Sequence, residues 1–271
     1  MRTEVLGRTN AAFPRVWLSL SVPHGGFGDS GPAELAHAAR ESGLPIDISS
    51  QPALWGGPLR GGEDTLVTFG GRFLASAHDE RNALDLTQAH LIETLSAIGR
   101  ETIDVYAITV RRALEEWQIN GALEALESAR QEGHIRYFAL HAEGAGHAAL
   151  GLWQFHDFAE LLFVARNPME TEAYANLAPL AAERRVGIVT TQPLEWAKGE
   201  SASRRAAELG LAIETDAARD LVAMAATAHP VLVPVRTADE VQSALAALEV
   251  SGVRPPYFEE LERAFRASGA A

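Results

Sequence analysis

A chain of 271 residues, 47% hydrophobic and 22% charged, has an ordinary globular balance, and its length suits one α/β barrel of about 250 residues. A formal net charge of −13 disfavours nucleic acid and anionic membrane as partners, and the absence of cysteine excludes disulfides, thiolate nucleophiles and cysteine-ligated metals. The start Met1–Asn10 carries no apolar stretch of the kind a secretory signal needs, and no apolar run approaches the roughly 20 residues that span a bilayer, so a soluble cytoplasmic protein is expected.

Short apolar, β-branched runs alternate with amphipathic stretches along the chain. Candidate strands fall at 15–22, 44–49, 65–69, 103–109, 135–141, 161–166, 187–192 and 230–236. Helices are predicted at 31–42, where Ser30 and Pro32 supply an N-cap and an early-turn proline, and at 86–100, where Leu91, Leu95 and Ile98 share a face. Further helices are predicted at 120–132, stopped by Gly133, at 170–185, at 238–249 and at 257–268. Repeated strand–helix alternation implies a parallel sheet, and eight units closing on themselves imply a single (β/α)8 TIM barrel over 1–271. An open doubly wound sheet is the alternative, but the glycines of His24-Gly-Gly-Phe-Gly-Asp29 lack the dinucleotide-binding spacing. Gly56, Gly57, Pro58, Gly61 and Gly62 lie between the second and third strands. They predict a glycine-rich loop there, with a shortened second helix.

Several segments carry a resemblance. Leu6-Gly-Arg-Thr9, Gly43-Leu-Pro-Ile-Asp47, Thr102-Ile-Asp-Val-Tyr106, Glu132-Gly-His-Ile-Arg-Tyr-Phe-Ala-Leu140, Gln192-Pro-Leu194 and Val233-Pro-Val-Arg236 are similar, in that order and spacing, to segments of the aldo-keto reductases. The resemblance covers nearly the whole chain. It implies hydride transfer from NADPH to a carbonyl, with a tyrosine as proton donor, a lysine–aspartate pair that tunes the tyrosine, and a histidine that orients the substrate.

The chain departs from that pattern where the chemistry is done. Asp47 matches the aspartate, but Phe69 stands at the lysine position and Thr109 at the histidine position. The tyrosine position falls near Trp55; no tyrosine precedes Tyr106, and the only lysine is Lys198. The cofactor positions depart too. His141-Ala142 replaces a Ser-Asn pair, Arg166 with Asn167 replaces a glutamine, Thr191 a stacking tyrosine, Val235 a glycine and Ala244 an asparagine. Arg236 and Thr237 keep the makings of a phosphate seat at a helix N-terminus. No cofactor is therefore expected, and Thr191, Gln192, Arg236 and Thr237 are cofactor ligands only if NADP is retained.

Barrel active sites lie at the C-terminal ends of the strands. Asp47 has lost its cation to Phe69, which pushes a carboxyl towards the range of a general base, and His141 is the candidate partner acid. His24, Trp55, Arg72, Thr109, Arg111, Arg166 and Asn167 are the candidate substrate contacts. Convergence of Arg72, Arg111, Arg166 and Arg236 would make an anion clamp. Trp117 and Trp196 are further candidates for the rim, where they would stack on a flat ligand. His141, Glu143 and His147 match no zinc spacing, so no metal is expected, and Ser49 and Ser50 lack the setting of a nucleophile.

The expected function is a redox-neutral step on a small polar or anionic metabolite: proton abstraction leading to elimination, isomerisation or cyclisation. The alternatives are an NADP(H)-dependent oxidoreductase with a non-standard proton donor, and a non-catalytic regulatory or scaffolding subunit that binds a protein partner.

Overall fold

The computed structural model describes residues 3–22, 26–27, 31–144, 146–167, 170–193 and 229–248. Two short strands, β1 (Thr3–Val5) and β2 (Ala12–Pro14), form an antiparallel hairpin around Leu6–Thr9. Eight parallel strands then close into a barrel. They are β3 (Val16–Leu20), β4 (Ile46–Asp47), β5 (Leu66–Gly70), β6 (Ile103–Val110), β7 (Ile135–Ala142), β8 (Leu161–Ala165), β9 (Gly187–Thr191) and β10 (Val231–Val235). β10 closes the ring by pairing with β3, Leu232 opposite Trp17 and Pro234 opposite Ser19. The barrel and all eight predicted runs are therefore present, each within two residues of its expected ends.

Seven helices are seen among the described residues: α1 (Gly31–Ser42), α2 (Pro52–Leu59), α3 (Glu80–Ile98), α4 (Glu116–Gln131), α5 (His147–Phe155), α6 (Glu172–Glu183) and α7 (Ala238–Ala247). Each follows from local chemistry. Asp79 caps α3 by accepting the Asn82 N–H, and Gly99 ends it in a left-handed conformation at φ 64°. Thr237 caps α7 by accepting the Glu240 N–H. The predicted helix 257–268 lies outside the described residues.

Two helices correct the sequence reading. The second helix is shortened as expected, to eight residues, but Gly56, Gly57 and Pro58, expected in a glycine-rich loop, lie inside it as part of α2. Gly56 is there because α2 presses on α3: a Cβ on Gly56 would collide with the Ala97 carbonyl oxygen. Packing against a neighbour has outweighed weak helix propensity. Helix α5 was not predicted at all; its run His147–Phe155 is short and Gly151 interrupts it.

The strands alternate inward and outward side chains, which splits the core in two. The inner cluster fills the barrel with Trp17, Val67, Val105, Ala107, Ala139, Leu161, Phe163, Val189 and Leu232, and the hairpin adds Leu6 and Phe13 from below. Aromatic rings run up through this filling. Phe13 meets Trp17 at 5.1 Å, Trp17 meets Phe163 at 5.7 Å, Phe163 meets Phe69 at 4.9 Å, and Phe69 meets His141 at 4.7 Å between centroids. The outer cluster packs the strands against the helices.

Candidate active site

At the C-terminal end of the barrel the inward positions turn polar. Ser19 on β3, Asp47 on β4, Thr109 on β6, His141 on β7 and Thr191 on β9 line a cavity of about 480 Å³. Ser49, Ser50, Phe69, Arg72, Gln192, Leu232 and Pro234 complete its wall among the described residues.

Asp47 is buried, and its partners are hydroxyl and amide donors rather than cations. Its Oδ2 accepts the Ser19 hydroxyl at 2.6 Å, and its Oδ1 accepts the Ser49 backbone N–H at 2.9 Å and the Ser49 hydroxyl. Burial pushes the Asp47 carboxyl above the usual carboxylate range; the hydrogen bonds from Ser19 and Ser49 hold part of that rise back. Three donors leave one of the four carboxylate lone pairs, on Oδ2, open to the cavity.

His141 is buried beside the Phe69 ring, and its Nδ1 shares a hydrogen bond of 3.1 Å with the Thr109 hydroxyl. Burial, and next the nearby Arg72 charge, lower its pKa to about 4. The imidazole is therefore neutral at physiological pH. No hydrogen bond joins it to Asp47 among the described groups.

The other expected contacts divide. Arg72, Thr109, Thr191 and Gln192 line the cavity as expected of strand ends. The Thr191 hydroxyl is buried and has no hydrogen-bond partner. Gln192 sits in a left-handed backbone conformation at φ 57°, a costly state for a non-glycine residue that recurs at ligand sites. Arg72 is bound to Glu143 at 3.1 Å.

Of the four arginines of the expected clamp, Arg72 alone is among the described residues that line the cavity. Arg111 is exposed on the turn after β6, Arg166 lays its guanidinium over the Tyr174 ring at 4.6 Å, and neither lines the cavity. A strand end fixes the height of a side chain, not the side of the rim on which it falls. Asn167 shapes the turn after β8: its Nδ2 donates to the Gln192 carbonyl at 3.2 Å and its Oδ1 accepts the Glu170 N–H at 2.9 Å. Trp55 is a further correction. Because α2 forms, its indole turns into the outer core, fully buried, and its N–H donates to the Ser50 carbonyl at 2.7 Å. Trp117 is likewise packed against the outer core. His24 and Trp196 lie outside the described residues. Among the described residues, no three histidines or carboxylates gather as metal ligands.

No tyrosine hydroxyl reaches the cavity wall among the described residues. Tyr106 points outward, where its hydroxyl bonds His90 Nδ1 at 2.8 Å. Sequence reasoning missed Ser19 altogether, although one polar residue in the apolar run Val16–Leu20 was a readable signal.

The residues present do not fit NADP(H) where the resemblance would seat its phosphate. At the start of α7 the Thr237 Oγ1 accepts the Glu240 N–H at 3.2 Å, and the Glu240 carboxylate accepts the Arg236 N–H at 2.5 Å. A side-chain carboxylate thus takes one backbone donor that a phosphate would need, the Thr237 oxygen takes another, and the carboxylate charge repels a phosphate. The amide of Asn167 and the Nδ1 of His141 are engaged as well.

No family model matches the sequence, and no curated protein matches it. Solved structures do. An aldo-keto reductase from Bacillus halodurans, in its holo form, is 14% identical with a TM-score of 0.73, over 98% of this chain and 96% of the other. An aldo-keto reductase from a deep-sea metagenome library is 15% identical with a TM-score of 0.68, over 98% and 94%. One from Brucella melitensis is 11% identical with a TM-score of 0.68, over 97% and 99%. The chain has the aldo-keto reductase fold. Asp47 lies at the end of β4, and the Phe69 ring packs against His141 at a tilt.

Proposed function

We propose that this cavity carries out a redox-neutral acid–base step on a small polar metabolite. One observation supports it above the others: a buried carboxylate, Asp47, faces the cavity with hydroxyl donors and, among the described residues, no ion-pair partner. Such a group is a better proton acceptor than an ion-paired one. Asp47 takes the proton from a carbon next to a carbonyl, and the electron pair moves onto the carbonyl oxygen. Neutral His141, hydrogen-bonded to Thr109 through Nδ1, has Nε2 to donate to that oxygen without carrying charge itself. Because Arg72 alone of the four arginines lines the described wall, the polar branch of the expected substrates is favoured over the anionic one. Elimination, isomerisation and cyclisation all begin with this proton transfer.

The second reading is a nicotinamide-dependent carbonyl reductase. It draws on the fold shared with reductases, one of them described in a holo form. Glu240 on the phosphate seat speaks against it. One experiment separates the two. Small carbonyl compounds are incubated in D2O with the protein alone, and exchange of their α-hydrogens is followed by NMR. Exchange without added nucleotide, lost in Asp47→Asn, supports the acid–base reading. Carbonyl reduction with NADPH and no exchange supports the reductase.

A further inference from the structure

The charges around the cavity specify its ligand further. Asp47 is buried and has no ion-pair partner among the described residues. The one arginine on the wall, Arg72, is engaged by Glu143 at 3.1 Å, and His141 is neutral. The described wall, with Glu143 behind it, therefore sums to one negative charge, in a protein whose net charge is itself −13. Phe69 adds a ring to the same wall, and an aromatic face attracts cations. A second, independent group also waits for a ligand. The Thr191 hydroxyl, in a residue 6% exposed that also lines the cavity, is without a partner among the described residues.

We propose that the cavity selects a small cationic aminocarbonyl compound, its ammonium held by the field of Asp47 and Phe69 and its carbonyl within reach of His141 and Thr191. The proposal rests on the acid–base reading and adds the substrate class to it. An ammonium beside the carbonyl also acidifies the intervening C–H, the bond that reading breaks. The proton passes from that carbon to the open lone pair of Asp47, the electron pair goes to the carbonyl oxygen, and the ammonium keeps its protons. Glu143, at 3.1 Å, draws the Arg72 guanidinium and offsets part of its repulsion of the ligand.

Three probes of nearly equal size test this: aminoacetone, hydroxyacetone and pyruvate, which are cationic, neutral and anionic. Their binding to the full chain is measured by calorimetry, and exchange of their hydrogens in D2O by NMR, for wild type, Asp47→Asn and Glu143→Gln. Aminoacetone is expected to bind at least about tenfold more tightly than hydroxyacetone, with pyruvate weakest. Asp47→Asn should erase the preference, and Glu143→Gln, by releasing Arg72, should raise pyruvate affinity. The proposal is overturned if pyruvate binds wild type as well as aminoacetone does, if the order survives in Asp47→Asn, or if none of the probes binds. The two readings fail separately. An intact charge preference without exchange removes the acid–base step alone, whereas Asp47-dependent exchange of hydroxyacetone without a preference for aminoacetone removes the substrate class alone.

Discussion

Ser49 holds Asp47 with its backbone N–H, at 2.9 Å, and with its hydroxyl, and both bonds go to the same oxygen. The direction of the hydroxyl bond is fixed from the other side. The Phe69 backbone N–H donates to Ser49 Oγ at 2.6 Å, so the one Ser49 proton is left for the carboxylate. Replacing Ser49 by alanine removes that proton and keeps the amide. The Asp47 carboxyl, already raised by burial, then rises further. A hydrogen bond to a charged group contributes about 1.5–3 kcal/mol, which corresponds to roughly one to two pH units. The acid limb of the pH–rate profile should move up by that amount in Ser49→Ala. A limb that stays in place would show that the limb belongs to another group.

Asp47→Asn should fold and lose activity by about 10² to 10⁴, the usual cost of a missing general base. Its stability has a defined sign. Because the folded-state pKa of Asp47 lies above the ordinary 3.8, the folded protein holds that proton more tightly than the unfolded chain. This contribution is fully present below pH 3.8 and is lost as pH rises through the folded value. Above the folded-state pKa the wild type carries a desolvated charge that asparagine lacks, so chemical denaturation there should find the variant at least as stable. Destabilisation beyond about 3 kcal/mol would instead mark a buried ion pair.

His141 has the opposite sign. Its folded-state pKa of about 4 lies below the ordinary 6.5, so the unfolded chain binds the proton more tightly. Stability from this group is present above pH 6.5 and is lost as pH falls towards 4. The full shift corresponds to on the order of 3 kcal/mol. Denaturation of Asp47→Asn between those two pH values isolates the effect from the carboxylate, and adding His141→Gln should flatten the curve.

The Glu240 carboxylate sits on the Arg236 N–H at the head of α7. Wild-type affinity for NADPH is expected to be weaker than micromolar, a binding energy short of about −8 kcal/mol. Glu240→Ala frees the Arg236 N–H and removes a like charge, and should tighten NADPH binding about tenfold or more. Micromolar binding by the wild type, or no change in the variant, would show that the carboxylate does not obstruct the cofactor.

Gly56→Ala tests why α2 exists. The added methyl meets the Ala97 carbonyl on α3. Overpacking of this kind costs about 1–3 kcal/mol, and Tm should fall accordingly. Gly57→Ala, where no atom lies within 4 Å of the new methyl, is the matched control and should leave Tm unchanged or raise it.

The barrel was legible because each strand is an apolar run bounded by polar turns, as in Ile103–Val110, buried along its whole length. Helix α2 was not, because the glycines that spoil local propensity are there for contact with α3, and contact across sequence leaves no local mark. The site was half legible. Asp47, Thr109, His141 and Thr191 stand at strand ends and on inward positions, so alternation alone brings them to one cavity. Arg111 and Arg166 stand one residue beyond their strands, where alternation no longer governs. Ser19 went unread because a lone serine in an apolar strand is common. Only the register that sets it beside Asp47 makes it a donor.

The ring column from Phe13 through Trp17, Phe163 and Phe69 closes the barrel beneath the cavity, and the β1–β2 hairpin seals the base with Leu6. The chamber is therefore blind-ended. Whatever enters by the mouth leaves by the mouth, and a product still inside bars the next substrate. Turnover at such a site is strictly one-in, one-out, and its product should compete directly with its substrate in steady-state inhibition.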